Sequence, residues 1–258
     1  MRRVKYYLIP ATAVLMLIGL LIGIVGAKCI DAPQITDLPD FDVPQDNPYF
    51  PMSAIGQTYV YWAETEDELI LNAITFTGVT KEVAGIDCIV VYDVEWVYIE
   101  EKDDWFMTEE TDDWYAWDND GNVWYFGEDT VEYIWSEDWS SYETSTEGSW
   151  EAGVDGALPG IVMPTDPMTG MCYQQEYYEG EAEDMGKVLR LDVNVSIDLG
   201  DYEGCLKTKE WTPLDPGTIE HKYYAPEVGL VYIEELKEKT VEVELIGIMP
   251  AGDFIPPT

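Results

Sequence analysis

The chain has 258 residues, 52 acidic and 13 basic, for a net charge of −39. So acidic a surface repels nucleic acid and anionic lipid, and nucleic acid is excluded as a partner. Disorder is excluded too, because 10 Trp, 18 Tyr and 6 Phe are far more aromatic residues than acidic disordered chains carry.

Residues 6–27 contain no charge and come after Arg2, Arg3 and Lys5. An apolar run of about 20 residues is long enough to cross a bilayer as a helix. Basic residues before it stay inside the cell, so the rest of the chain lies outside. Residues 1–27 are read as an uncleaved N-terminal hydrophobic helix that binds the chain to the membrane. A cleaved signal peptide is the alternative, since Val25-Gly-Ala27 has the small residues of a cleavage site. Lys28 stands where a lipidation motif needs a small residue before Cys29. Either way the body is at the cell surface or secreted. Three bases and no acid precede the apolar run, so 10 basic against 52 acidic residues leave the body at −42.

Residues 28–51 alternate Pro33, Pro39, Pro44, Pro48 and Pro51 with Asp31, Asp37, Asp40, Asp42 and Asp46. Proline blocks helix and central strand, and like charges extend a chain, so this segment reads as a spacer. Residues 52–248 form the extracytoplasmic domain and 249–258 a loose tail.

Within the domain the pattern is β. Residues 59–62, 69–76, 88–99, 113–117, 123–126 and 131–135 are rich in aromatic and β-branched side chains, as are 188–199, 205–211, 219–224, 230–233 and 241–248. Residues 189–199 alternate apolar and polar, which puts leucine, valine and isoleucine on one face. No sustained helical period occurs after residue 27. The fold class is all-β and mainly antiparallel, a curved sheet or half-barrel.

Two halves echo each other, over residues 56–135 and 170–248. Gly85-Ile-Asp-Cys88, Trp114-Tyr-Ala116 and Gly121-Asn-Val-Trp-Tyr125 match Gly200-Asp-Tyr-Glu-Gly-Cys205, Tyr223-Tyr-Ala225 and Gly229-Leu-Val-Tyr-Ile233. The spacings between these pieces differ, so two β-meander repeats and a chance likeness of hairpins both stay open. The acidic, glycine-rich stretch 136–170 would join them.

Asp113-Trp-Tyr-Ala-Trp-Asp-Asn-Asp-Gly-Asn-Val-Trp-Tyr-Phe-Gly-Glu128 resembles a segment of uncharacterised secreted or membrane-anchored β-rich proteins of bacteria and archaea. Residues 175–184, 205–214 and 223–231 are similar to further stretches of that family. The likeness covers most of 48–236. The Tyr223-Tyr-Ala-Pro226 and Gly229-Leu-Val231 ending also resembles LolA-like half-barrel proteins. That resemblance implies a curved sheet able to cradle an apolar ligand, and it implies no reaction. Glu227 stands where the family more often has glycine, at a turn.

Asp118, Asp120 and Asn122 are a candidate Ca²⁺ site, because oxygen-rich Asx clusters suit that ion. Ala116 falls where an EF-hand loop needs its first Asp, and Asp120-Gly121 between aromatic runs is a hairpin signal; the turn is the preferred reading. Glu179, Glu181, Glu183 and Asp184 form a second acidic cluster, read as a solvated loop. His221 is the only histidine, so a multi-histidine metal centre is impossible. Nucleotide-binding glycine motifs and a serine-hydrolase elbow are absent. The tryptophans are read as core, or as a binding platform where they gather into an exposed patch. Asn194-Val-Ser196 is a glycosylation sequon. Of the four cysteines, Cys29 lies in the spacer, and the preferred disulfide is Cys88 with Cys205, with two buried free thiols as the competing reading.

The functional expectation is therefore a non-catalytic binding or cell-envelope protein with no bound cofactor other than Ca²⁺. The alternatives are a carrier of apolar ligands, which needs an apolar pocket in the concave face, and a hydrolase, which needs converging carboxyls with raised pKa values.

Overall fold

The structure is a computed structural model and describes residues 28–65, 68–236 and 240–257. The N-terminal hydrophobic helix expected over 1–27 lies outside the described residues. Among the described residues no helix is long and apolar enough to cross a membrane.

The fold is one curved, antiparallel, open sheet of fifteen strands. Strands β1 (Gln57–Glu64), β2 (Leu69–Val83), β3 (Ile86–Ile99), β4 (Asp104–Trp117) and β5 (Val123–Trp135) form a first meander. Five short strands come next: β6 (Tyr142–Ser145), β7 (Trp150–Glu151), β8 (Leu158–Met163), β9 (Cys172–Gln174) and β10 (Glu176–Tyr177). A second meander comprises β11 (Met185–Ile197), β12 (Gly200–Trp211), β13 (Ile219–Ala225), β14 (Gly229–Glu235) and β15 (Val241–Pro250). The order is β10-β8-β5-β4-β3-β2-β1-β15-β14-β13-β12-β11-β9, with β6 and β7 also pairing with β5. Strand β15 of the second meander thus lies beside β1 of the first.

The two end strands, β9 and β10, are separated in sequence by Gln175 alone. The sheet therefore curls until its ends approach. Gly160 on β8 marks the approach: a Cβ there would lie 2.4 Å from the Gln174 carbonyl oxygen, so only glycine fits.

The proline-rich segment 28–51 forms no strand, as its composition requires, but it is not a free spacer. Cys29 is disulfide-bonded to Cys172 on β9, with Cα atoms 4.5 Å apart. Ile30 exchanges backbone hydrogen bonds with Cys172 and Gln174, which blunts the β9 edge. Ile35, Leu38 and Phe41 pack on the core around Trp114, Trp124 and Phe126. Fully buried Asn47 donates through Nδ2 to the Gly121 carbonyl at 2.8 Å. Apolar residues placed between the prolines make the segment a strap. In the tail, Phe254 packs against Trp96.

The expected Cys88–Cys205 disulfide is not formed; both are buried free thiols. Cys88 belongs to the core around Trp114 and Cys205 to the core around Tyr59 and Leu245, so they are built into different clusters. The regular alternation expected over 189–199 is also broken. Register shifts interrupt β11 between Val188 and Val195, Asp192 takes φ +58, and Leu191 and Leu199 are exposed.

Candidate functional site

The β-strand period of two sends alternate side chains to the concave face of a curled sheet, where they converge. Here several of those side chains are charged. A cavity of about 260 Å³ is lined by Asp93 (β3), Asp113 (β4), Glu176 (β10), Glu210 (β12) and Lys222 (β13), with Asp184 just before β11. Tyr59 and Tyr61 of β1, Phe76 of β2, Tyr115, Tyr125 and Tyr224 supply aromatic walls. A second cleft of about 500 Å³ shares Tyr61, Ile74, Asp93, Lys222 and Leu230 with the chamber and adds Glu68, Glu95 and Glu235. The two adjoin along these shared residues, and the cleft is acidic.

The charges fall into two groups. In the second half, Lys222 Nζ lies 3.0 Å from Glu210 Oε2 and 3.1 Å from Glu220 Oε2. Thr208 and Tyr224 donate to Glu210 Oε1 at 2.8 and 3.0 Å. Burial alone would raise Glu210, but the Lys222 charge and these hydrogen bonds hold its carboxyl below the usual range. Burial likewise opposes the charge on Lys222, yet Glu210 and Glu220 keep it firmly protonated.

The first half brings no such cation to the chamber. Asp93 accepts one hydrogen bond, from Asn72 Nδ2 at 2.5 Å, and burial pushes its carboxyl up to about 7. Asp113 accepts from Tyr125 Oη at 2.6 Å; burial, then the neighbouring Asp93 and Glu128, raise it well above the ordinary value. Burial, reinforced by Asp184, does the same to Glu176, and burial lifts Glu128 to about 7. Lys222 is the only basic side chain lining the chamber among the described residues.

The hairpins carrying these groups have one register. Ile89 faces Tyr115 and Val90 faces Trp114 across β3 and β4; Leu206 faces Tyr224 and Lys207 faces Tyr223 across β12 and β13. Cys88 and Cys205 each precede those pairs, so Asp93 corresponds to Glu210 and Asp113 to Lys222.

The residues singled out in sequence fare differently. Asp118, Asp120 and Asn122 lie in a hydrogen-bonded turn. Asp118 is buried, and its two oxygens accept from Asp120 N, Asn122 N, Asn122 Nδ2 and Trp124 Nε1 at 2.8–2.9 Å. Those donors use the lone pairs a cation would need. Among the described residues, no three His, Cys, Asp or Glu side chains are grouped to hold a metal. Of the cluster 179–184 only Asp184 reaches the chamber. His221 lies beside Glu234 at 3.4 Å, outside the chamber lining. Asn194 is exposed on β11. Phe106, Trp135, Trp139 and Tyr142 contact one another at the β5–β6 end of the sheet.

No family model and no curated protein matches the chain. Among solved structures, a candidate exported protein with a YmcC-like fold from Bacteroides fragilis is 12% identical over 82% of this chain and 100% of its own, with a TM-score of 0.32. A candidate lipoprotein from Parabacteroides distasonis is 9% identical over 83% of this chain and 100% of its own, with a TM-score of 0.35.

Proposed function

We propose that this is a non-catalytic, extracytoplasmic binding protein that holds a small polar ligand in the concave chamber. The carrying observation is the chamber itself, with aromatic walls and carboxyls on most sides. The Cys29–Cys172 disulfide suits an oxidising compartment, and the basic residues before the apolar run direct the body outward. The apolar-carrier reading gains from Phe50, Ile74, Phe76, Val162 and Leu230 in the lining, but a wholly apolar guest would leave the five carboxyls and Lys222 beside it without a polar partner. The hydrolase reading gains from the raised carboxyls, but it also needs an ionised carboxylate free to attack or to activate water. Glu210, the ionised one, is already engaged by Lys222, Thr208 and Tyr224.

A saturation-transfer NMR screen of the full-length chain tests this, with amino acids, monosaccharides, simple amines and palmitate as probes. Ile74 lines both chamber and cleft, so Ile74→Trp fills the path between them. At least one polar probe should contact the wild type and lose contact in the filled variant. Equal signals in both, or palmitate alone being lost, would overturn the reading.

A further inference from the structure

We propose that the ligand is a small organic ammonium ion, seated on Asp93 and Asp113 as the Lys222 ammonium is seated on Glu210. This rests on the binding reading above and names the chemistry of its ligand. Two hairpins with one register carry an acid on the first strand and a charged residue on the second. In the second half that charged residue is Lys222, and its ammonium lies 3.0 Å from the acid. In the first half it is Asp113, so an acid lies diagonally across the hairpin from an acid, and no ion pair is made to either among the described residues. Lys222 reaches Asp93 only through its field, because Glu210 and Glu220 hold its nitrogen.

Asp113 is only 9% exposed, and Tyr125 engages its Oδ1. Tyr125 is the one side-chain donor to this carboxyl among the described residues, and the carboxyl lines the chamber wall. The walls favour an organic cation over a bare metal. Tyr61, Tyr115 and Tyr125 present rings, which attract ammonium groups through their quadrupoles. A hard metal ion prefers several convergent carboxylates, and no three His, Cys, Asp or Glu side chains are so grouped among the described residues. The chamber volume of about 260 Å³ suits a molecule of a few heavy atoms rather than a lipid or a peptide. Glu68 and Glu95 in the adjoining cleft raise the local concentration of cations. Burial biases both carboxyls toward their protonated forms, and an ammonium beside them would favour the ionised forms.

Isothermal titration of the full-length chain with choline chloride and propylammonium chloride tests the proposal, against NaCl, CaCl₂ and glucose at matched ionic strength. One ammonium salt should bind saturably. Asp113→Asn and Asp93→Asn, nearly isosteric, should each weaken it at least tenfold, the loss expected for a charged hydrogen bond. Glu132→Gln, at an exposed acid on β5, should not change it. Thermal melts report whether each variant is folded; should Asp113→Asn unfold, Asp93→Asn decides. Ammonium salts binding no better than sodium, or retained affinity in the asparagine variants, overturns the proposal. Calcium binding alone overturns it in favour of a metal site. Glucose binding that Ile74→Trp abolishes would overturn the cation while leaving the binding function standing. No heat from any probe, together with an unchanged NMR screen, would overturn both.

Discussion

The β3–β4 and β12–β13 hairpins share a register and differ in charge balance. In the second, Glu210 and Lys222 satisfy each other inside the sheet, with Thr208 and Tyr224 completing the hydrogen bonds. In the first, half-buried Asp93 and buried Asp113 have one side-chain hydrogen bond each, from Asn72 and Tyr125. One backbone geometry thus supports two solutions to a carboxyl inside the sheet. Its ionised form is favoured where the chain brings its own cation, and its protonated form is favoured where it does not. The protonated side is the one that can change state when something binds.

The largest expected effect comes from separating the halves. The strap packs its apolar residues on the first-half core and is bonded through Cys29 to β9, which pairs with β11 of the second. The bridge closes 143 residues of chain, so in the chain-entropy model its loss removes up to about 5 kcal/mol. Cys29→Ser should lower the urea midpoint accordingly, and reductant should do the same to the wild type. An unmoved midpoint would mean that packing alone holds the strap.

Next comes the built-in pair. Lys222→Met leaves Glu210 buried and unpaired, which should cost about 3–5 kcal/mol in urea denaturation. Lys222→Met combined with Glu210→Gln should cost clearly less, because no lone charge is left. Asp93→Asn, at the matching position, replaces a group that already holds a proton and should cost under about 1 kcal/mol. Equal losses for Asp93→Asn and Lys222→Met would erase the distinction between the halves.

The two halves should also respond to pH with opposite sign. Asp93 is raised by burial from 3.8 to about 7, and Glu128 from 4.5 to about 7, so between those limits the folded state binds more protons than the unfolded. Their contribution is complete below the unfolded values and is lost as pH rises toward 7. Glu210 is lowered, so its contribution is present above 4.5 and is lost as pH falls below it. Melting temperature should therefore fall from pH 5 to pH 7. Asp93→Asn should remove part of that slope, on the order of 2 kcal/mol over the window. A wild-type melt that rises from pH 5 to pH 7 would contradict the protonation assigned to the first half.

Much of the fold can be read from residue order. Runs of β-branched and aromatic side chains between turns mark most of the long strands, and Asp120-Gly121 marks the β4–β5 turn. The strap misleads because proline and aspartate dominate its composition, while Ile35, Leu38 and Phe41, which dock it, are few. The disulfide results from that docking, which no cysteine spacing displays. The chamber is partly visible. Asp93 shares its parity with Val91, and Asp113 with Tyr115, so each acid falls on a face that should be apolar. Aligning the halves on Cys88 and Cys205 sets Asp93 on Glu210. The curl that brings β3, β10 and β13 to one cavity is not legible, because it depends on pairing between β1 and β15, far apart in sequence.

The last comparison concerns the turns that follow the matching hairpins. In the first half, the β4–β5 turn uses Gly121 at φ +87; a Cβ there would sit 3.0 Å from the Asp46 carbonyl oxygen and from Thr165 Oγ1. In the second, the β13–β14 turn holds Glu227 at φ +64, where an L-residue is strained by roughly 1–2 kcal/mol. Its backbone N–H donates to the Pro48 carbonyl at 2.7 Å, so this conformation also anchors the strap. Gly121→Ala should destabilise by about 1–3 kcal/mol, combining left-handed strain with the two close contacts. Glu227→Gly should do the reverse, because glycine relieves the strain and keeps the N–H. The greater freedom of glycine in the unfolded chain takes back about 0.5–1 kcal/mol, leaving a net gain of roughly 0.5 kcal/mol. Removing one negative charge adds a little at low salt, so the melts should be compared in dilute buffer and in molar NaCl. A gain that persists in high salt identifies the backbone as its source. A gain that disappears there identifies charge repulsion, and the two turns then differ in electrostatics rather than in strain.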